Sequence, residues 1–185
     1  MRKGFSLIEM LIVMAIFLTM MLVVSDIFLS VSATQRKTIA YQKAVNELQL
    51  NFEEMLHTLR FEKIDYDVIT PETPMPTDKI TLSREDGFTI EFFIGTENCP
   101  NKISTCLVRR EFNNIQTIDY VISGGRVKVN QLHFYIYPLE ERYSGRFAVQ
   151  SRITVVIQAE VLMPADQPSE EIQLQSTVTM RNYET

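Results

Sequence analysis

Met1-Arg2-Lys3-Gly4-Phe5-Ser6-Leu7-Ile8-Glu9 opens the chain, and from Met10 to Val24 every residue except Thr19 is apolar. Between Phe5 and Val24 the only ionisable side chain is Glu9. A helix rises about 1.5 Å per residue, so about 20 residues span a bilayer core. The block meets that length. Arg2 and Lys3 precede it, and the positive-inside bias keeps them cytoplasmic and exports the C-terminal part of the chain.

An ordinary secretory signal competes with this reading. It has a basic start, a shorter apolar core and a small-x-small cleavage site, for which Val31-Ser32-Ala33 would serve. Two features oppose it. The apolar block is longer than a signal core, and Glu9 lies inside it. A carboxylate costs roughly 3 kcal/mol at bilayer depth, so carboxylates placed there tend to be functional. The alternative for Glu9 is a position near the interface, from which it snorkels to water.

Gly4-Phe5-Ser6-Leu7-Ile8-Glu9 followed by an apolar run resembles the leader junction of type IV prepilins and type II secretion pseudopilins. In that family a membrane aspartyl peptidase cuts after the Gly and methylates the new N-terminal Phe. The resemblance implies cleavage between Gly4 and Phe5, N-methylation of Phe5, and Glu9 as the fifth mature residue. It also implies that Glu9 meets the N-terminal amine of a neighbouring subunit and sets the register of assembly. The residue types suit this. Gly4 lets the scissile bond enter a narrow site in extended form. A buried ion pair specifies register better than it adds stability.

Residues 5 to 61 contain no Pro and no Gly. From Thr34 the composition turns polar, yet Tyr41, Val45, Leu48, Phe52, Met55 and Leu59 recur at steps of four and three. That period is a one-sided helical stripe, and it predicts one helix over about 5–61. Its first half suits membrane or filament core and its second half lies on a following domain. A coiled-coil seam is the alternative use of the stripe. Ser25-Asp26 marks the membrane exit, with contact to a neighbouring subunit as the second reading. Met10, Met14, Met20 and Met21 read as flexible packing rather than metal ligands.

Thr70-Pro71-Glu72-Thr73-Pro74-Met75-Pro76-Thr77 cannot continue a helix. Beyond it the apolar period falls to two, which predicts strands at 79–84, 88–94, 106–112, 117–123, 127–137, 151–163 and 172–181. Asp86-Gly87 and Gly124-Gly125 are turn signals, and 164–171 is a polar loop. The expected architecture is α+β: a long helix, its first half transmembrane, packed on a C-terminal antiparallel sheet. The expected division is leader 1–4, membrane or filament-core helix 5–33, amphipathic continuation 34–61 and β-rich domain 62–185. Leu107-Val108-Arg109-Arg110-Glu111, the Gly-Gly turn with its aromatic strand, and the ending Gln175 to Asn182 resemble minor pilins of the PilW type and J-type pseudopilins.

The 45% hydrophobic content suffices for a core, and a formal charge of −5 offers no broad basic surface for nucleic acid. Losing Arg2 and Lys3 with the leader takes it to −7. Cys99 and Cys106, seven positions apart, are too few for a zinc site, with His57 and His133 remote in sequence. A local disulfide, formed in an oxidising compartment, is the expectation; two free thiols are the alternative.

The chain has no G-x-S-x-G, H-E-x-x-H, P-loop or Rossmann glycine pattern. Arg109-Arg110 and Glu140-Glu141 are strand neighbours pointing to opposite faces, and read as surface ion pairs. Asp65, Asp67, Glu72 and Asp78 cluster around the first loop, where holding calcium is the lesser alternative because they lack EF-hand spacing. His133 reads as a core or rim residue. No catalytic residue, metal or cofactor is expected.

The resemblance therefore implies a non-enzymatic minor pilin or pseudopilin that starts or caps a type IV pilus or a type II secretion pseudopilus. Its implied partners are the prepilin peptidase, other major and minor pilins or pseudopilins, the inner-membrane assembly platform and membrane lipid, with no direct nucleic-acid contact. The implied location is the bacterial inner membrane, single-pass, with the C-terminal domain extracytoplasmic, and then the filament tip. A membrane-anchored binding or adhesion module and a DNA-uptake pseudopilin are the alternatives.

Overall fold

The computed structural model describes residues 6–69, 72–138, 150–163 and 169–181. A single helix, α1, runs Leu7–Phe61 over 55 residues. With no Pro or Gly inside it, nothing in the sequence breaks its hydrogen-bond ladder. The chain divides into two units, one ending at Ala40 and one beginning at Tyr41.

In the first unit every residue from Leu7 to Val31 is exposed, and the helix is long and apolar enough to cross a membrane. Its hydroxyls turn back onto the ladder. Thr19 Oγ1 donates to Ile16 O at 2.8 Å, Ser25 Oγ to Met21 O at 2.8 Å and Thr34 Oγ1 to Ser30 O at 3.0 Å. Such bonds satisfy a hydroxyl where no water reaches it.

In the second unit α1 buries Ala44, Leu48, Phe52, Met55 and Leu59. The stripe is used for packing on its own domain and not as a coiled-coil seam. Small Ala44 takes the inward place next to half-buried Val45. Eight strands follow: β1 Lys63–Ile64, β2 Ile80–Ser83, β3 Thr89–Gly95, β4 Cys106–Phe112, β5 Thr117–Val121, β6 Val127–Tyr137, β7 Arg152–Val161 and β8 Glu170–Thr179. They form two antiparallel sheets, β1-β2-β3-β4-β5 and β6-β7-β8. The expected antiparallel β domain is present, and its strands divide into two sheets: after β5 the chain turns at Gly124, with φ +79°, and starts a new ladder.

The segment leading into β2 is bridged to β6 of the second sheet. Phe134 N donates to Thr77 O at 2.8 Å and Thr77 N to Phe134 O at 3.1 Å. One core forms from the α1 stripe, Ile80, Leu82, Ile90, Phe92 and Leu107 of the first sheet, and the inward residues of β6 and β7. Each fully buried Leu, Ile or Phe contributes about 1.5–3 kcal/mol of transfer free energy. Beyond β8 the backbone N–H of Arg181 donates to Arg60 O at 2.9 Å, tying the chain's end to the last turn of α1.

Candidate assembly site

Gly4 and Phe5, the expected cleavage and methylation positions, lie outside the described residues, as do Arg2 and Lys3. The helix starts directly after them. Ser6 O accepts from Glu9 N at 3.0 Å and from Met10 N at 3.3 Å. Ser6 therefore stands at the N-cap and Glu9 at the third helical position. A carboxylate in the first turn is favoured by the positive end of the helix dipole. Ser6-x-x-Glu9 is also capping-box spacing. The sequence reading did not assign Ser6 a place; the i, i+3 pairing with Glu9 was the available signal. Farther along, Asp26 is exposed on α1.

Cys99 and Cys106 are joined in a disulfide, with Cα atoms 5.7 Å apart. It ties the loop after β3 to the first residue of β4. Within that loop Asn101 Nδ2 donates to Gly125 O at 2.6 Å. A Cβ on Gly124 would stand 2.8 Å from the Glu47 carboxyl carbon, and one on Gly125 would stand 2.7 Å from Asn101 Nδ2. The two glycines allow α1 and the disulfide loop to close on one turn.

Arg109 and Arg110 take opposite faces of β4, as alternation requires. Arg109 Nη1 donates to Glu54 Oε1 of α1 at 3.1 Å and its other nitrogen pairs with Glu111. Arg110 grips Asp119 with two bonds, 2.7 and 2.9 Å, while its guanidinium stacks 4.8 Å over the Phe93 ring. That grip holds the Asp119 carboxyl below its usual range. Burial pushes the Glu62 carboxyl up, against the opposing pull of Arg84. Glu140 and Glu141 lie outside the described residues.

His133 is a rim residue, its Nδ1 3.1 Å from Asp78 Oδ1. Asp65 Oδ1 instead accepts from Asp67 N at 3.1 Å. Asp65 thus serves a local turn and Asp78 a pair with His133. Among the described residues no group of three or more His, Cys, Asp and Glu is placed to hold a metal. A cleft of about 400 Å³ opens beside His133 and Asp78. Its Lys79 is bound to Glu91 at 2.8 Å. These groups are matched to one another in stable pairs, an arrangement suited to holding a surface together.

No curated protein and no solved structure matches the chain. Residues 1–25 match the family described as the prokaryotic N-terminal methylation motif. They hold the basic leader, the Gly4-Phe5 junction, Glu9 and most of the apolar run, so this chain carries a type IV pilin-like prepilin signal at the head of a helix able to anchor it in a membrane.

Proposed function

We propose that the chain is a minor pilin or pseudopilin, a structural subunit that starts or caps a filament. Prepilin peptidase removes residues 1–4 and methylates Phe5. Residues 5–33 anchor the protein in the inner membrane and then enter the filament core, 34–61 continue the helix, and 62–185 form an extracytoplasmic domain. The other pilin-like subunits and the inner-membrane assembly platform are its partners. Whether the machine is a pilus or a secretion pseudopilus depends on which of those subunits it meets.

The observation that carries this is the methylation motif joined to Glu9 in the first turn of a helix whose apolar stretch, Leu7 to Val31, is exposed throughout. Cleavage after Gly4 leaves a cationic amine at the positive end of the helix dipole, which is unfavourable. A carboxylate one turn away offsets it, and in an apolar surround each charge requires the other. A neighbour's Glu9 meeting that amine fixes the axial register of two subunits.

The test is Gly4→Leu in the full chain, expressed with its peptidase. A branched side chain at the scissile bond should stop processing, and mass spectrometry of the membrane-extracted protein should find Met1 retained. The unaltered chain should begin at N-methylated Phe5. A start at any other residue, or equal processing of Gly4→Leu, sinks the proposal.

A further inference from the structure

The charged groups of the cleft beside His133 are matched to one another, but the amides around it are not. In β6 the register against β7 slips between Val129 and Gln131, so Asn130 is a bulge residue. The bulge sets Asn130 and Gln131 both outward and exposed, where strict alternation would turn one of them inward. Gln131 stands opposite Gln158 of β7, and Gln158 stands opposite Gln173 of β8. Neighbouring strands lie about 4.8 Å apart, so the three glutamines form one row across the second sheet, on the face turned away from the core. No described residue hydrogen-bonds to their side-chain amides. Asn130 is held by Glu160, which Lys128 and Ser169 hold in turn. Two clefts share Asn130. The one of about 400 Å³ is lined also by Gln131, His133, Asp78 and Phe93, and a second, of about 270 Å³, by Gln158, Gln173 and Glu171. Bulges of this kind are common beside binding sites.

We propose that this amide row, with its two clefts, binds an uncharged polysaccharide. A carboxamide offers two N–H donors and an acceptor oxygen, and a sugar hydroxyl donates once and accepts twice, so a row of amides matches a run of neighbouring hydroxyls. Phe93 and Ile94, half-buried in the wall of the larger cleft, give an apolar surface to the C–H side of a sugar ring. Charge separates this ligand from its competitors. Asp78 lines one cleft and Glu171 the other, and the lining Lys79 is already bound to Glu91. A nucleic acid or a sulfated glycan, which needs cations for its own charges, would meet carboxylates there. An extended peptide adds along a strand edge through main-chain bonds, whereas this row crosses three strands and is built of side chains. The row and both clefts lie wholly in the second unit, so the inference stands whether or not the chain enters a filament.

The experiment takes the full-length chain in a detergent without a sugar headgroup. It is applied to an array of neutral oligosaccharides of glucose, galactose, mannose and N-acetylglucosamine, with sulfated forms of each and unglycosylated peptides beside them. At least one neutral series should bind, and its sulfated form should bind more weakly. Gln158→Ala and Gln173→Ala together should weaken that binding about tenfold or more, the scale of one or two lost hydrogen bonds. Gln49→Ala, exposed on α1, should leave it unchanged. Neither glutamine of the pair belongs to the core, so the melting midpoint of the double variant should stay within about 3 °C of the unaltered chain, which separates lost binding from lost fold. Binding to no neutral series, binding that ignores the double substitution, or tighter binding of the sulfated forms or of the peptides overturns the proposal.

Discussion

Asp119 and Arg110 face each other across β4 and β5, and their pairing has a definite sign in pH. The two hydrogen bonds hold the Asp119 carboxyl below its ordinary 3.8. A depressed acid contributes stability above its unfolded value and loses it as the pH falls through its folded value. The pair is open to solvent, so its contribution is small, about 1 kcal/mol or less. Asp119→Asn should therefore lower the stability of the detergent-solubilised chain slightly at pH 7, measured by urea unfolding. The difference from the unaltered chain should close below pH 3.8. A gap of equal size at pH 3 would show that shape and not charge is at issue. Glu62 carries the opposite sign, since burial raises its pKa, and its charge weighs against the fold as pH rises. The opposite facing of Arg109 and Arg110 was legible from strand alternation. Their partners were not, because Glu54 and Asp119 reach them only through helix docking and β4–β5 register.

At the scale of elements, period decided what could be read. The α1 stripe was legible in Leu48, Phe52, Met55 and Leu59, all buried. Ala44 was hidden because a small residue gives little apolar signal at an inward position. The limits of β4 and β6 agree with the expected ones, since Cys106, Phe112, Val127 and Tyr137 abut loop or turn residues. β1, two residues long, carries no period at all. The partition into two sheets depends on which strands find each other, a long-range matter that alternation does not encode. The stripe carries a test. Met55 is 0% and Leu50 67% exposed on the same helix. Met55→Ala opens a cavity between α1 and the sheets and should cost about 2–5 kcal/mol. Leu50→Ala should move stability by no more than about 0.5 kcal/mol. Equal losses in thermal melts of the two variants would mean that α1 packs with another face.

For the whole molecule, the chain joins two parts that answer to different solvents. Every member of the core cluster, from Ala44 to Met180, and the half-buried residues packed on it from Tyr41 onward, lies in the second unit. The residues from Leu7 to Val31 bury nothing of their own. Their apolar surface is therefore answered by lipid or by other helices, while the domain draws its stability from its own core and from the Cys99–Cys106 tie. A chain starting at Thr34 should then stay in solution without detergent. It should unfold cooperatively, with a midpoint within about 3 °C of the full chain in mild detergent, since no core contact has been removed. The reading is checked by near-ultraviolet circular dichroism and a thermal melt of both forms. Loss of the cooperative transition on truncation would show that the apolar half of α1 supports the domain as well as anchoring it. In that case extraction of the helix from the membrane would strain the domain, and the separation of anchor from fold would be wrong.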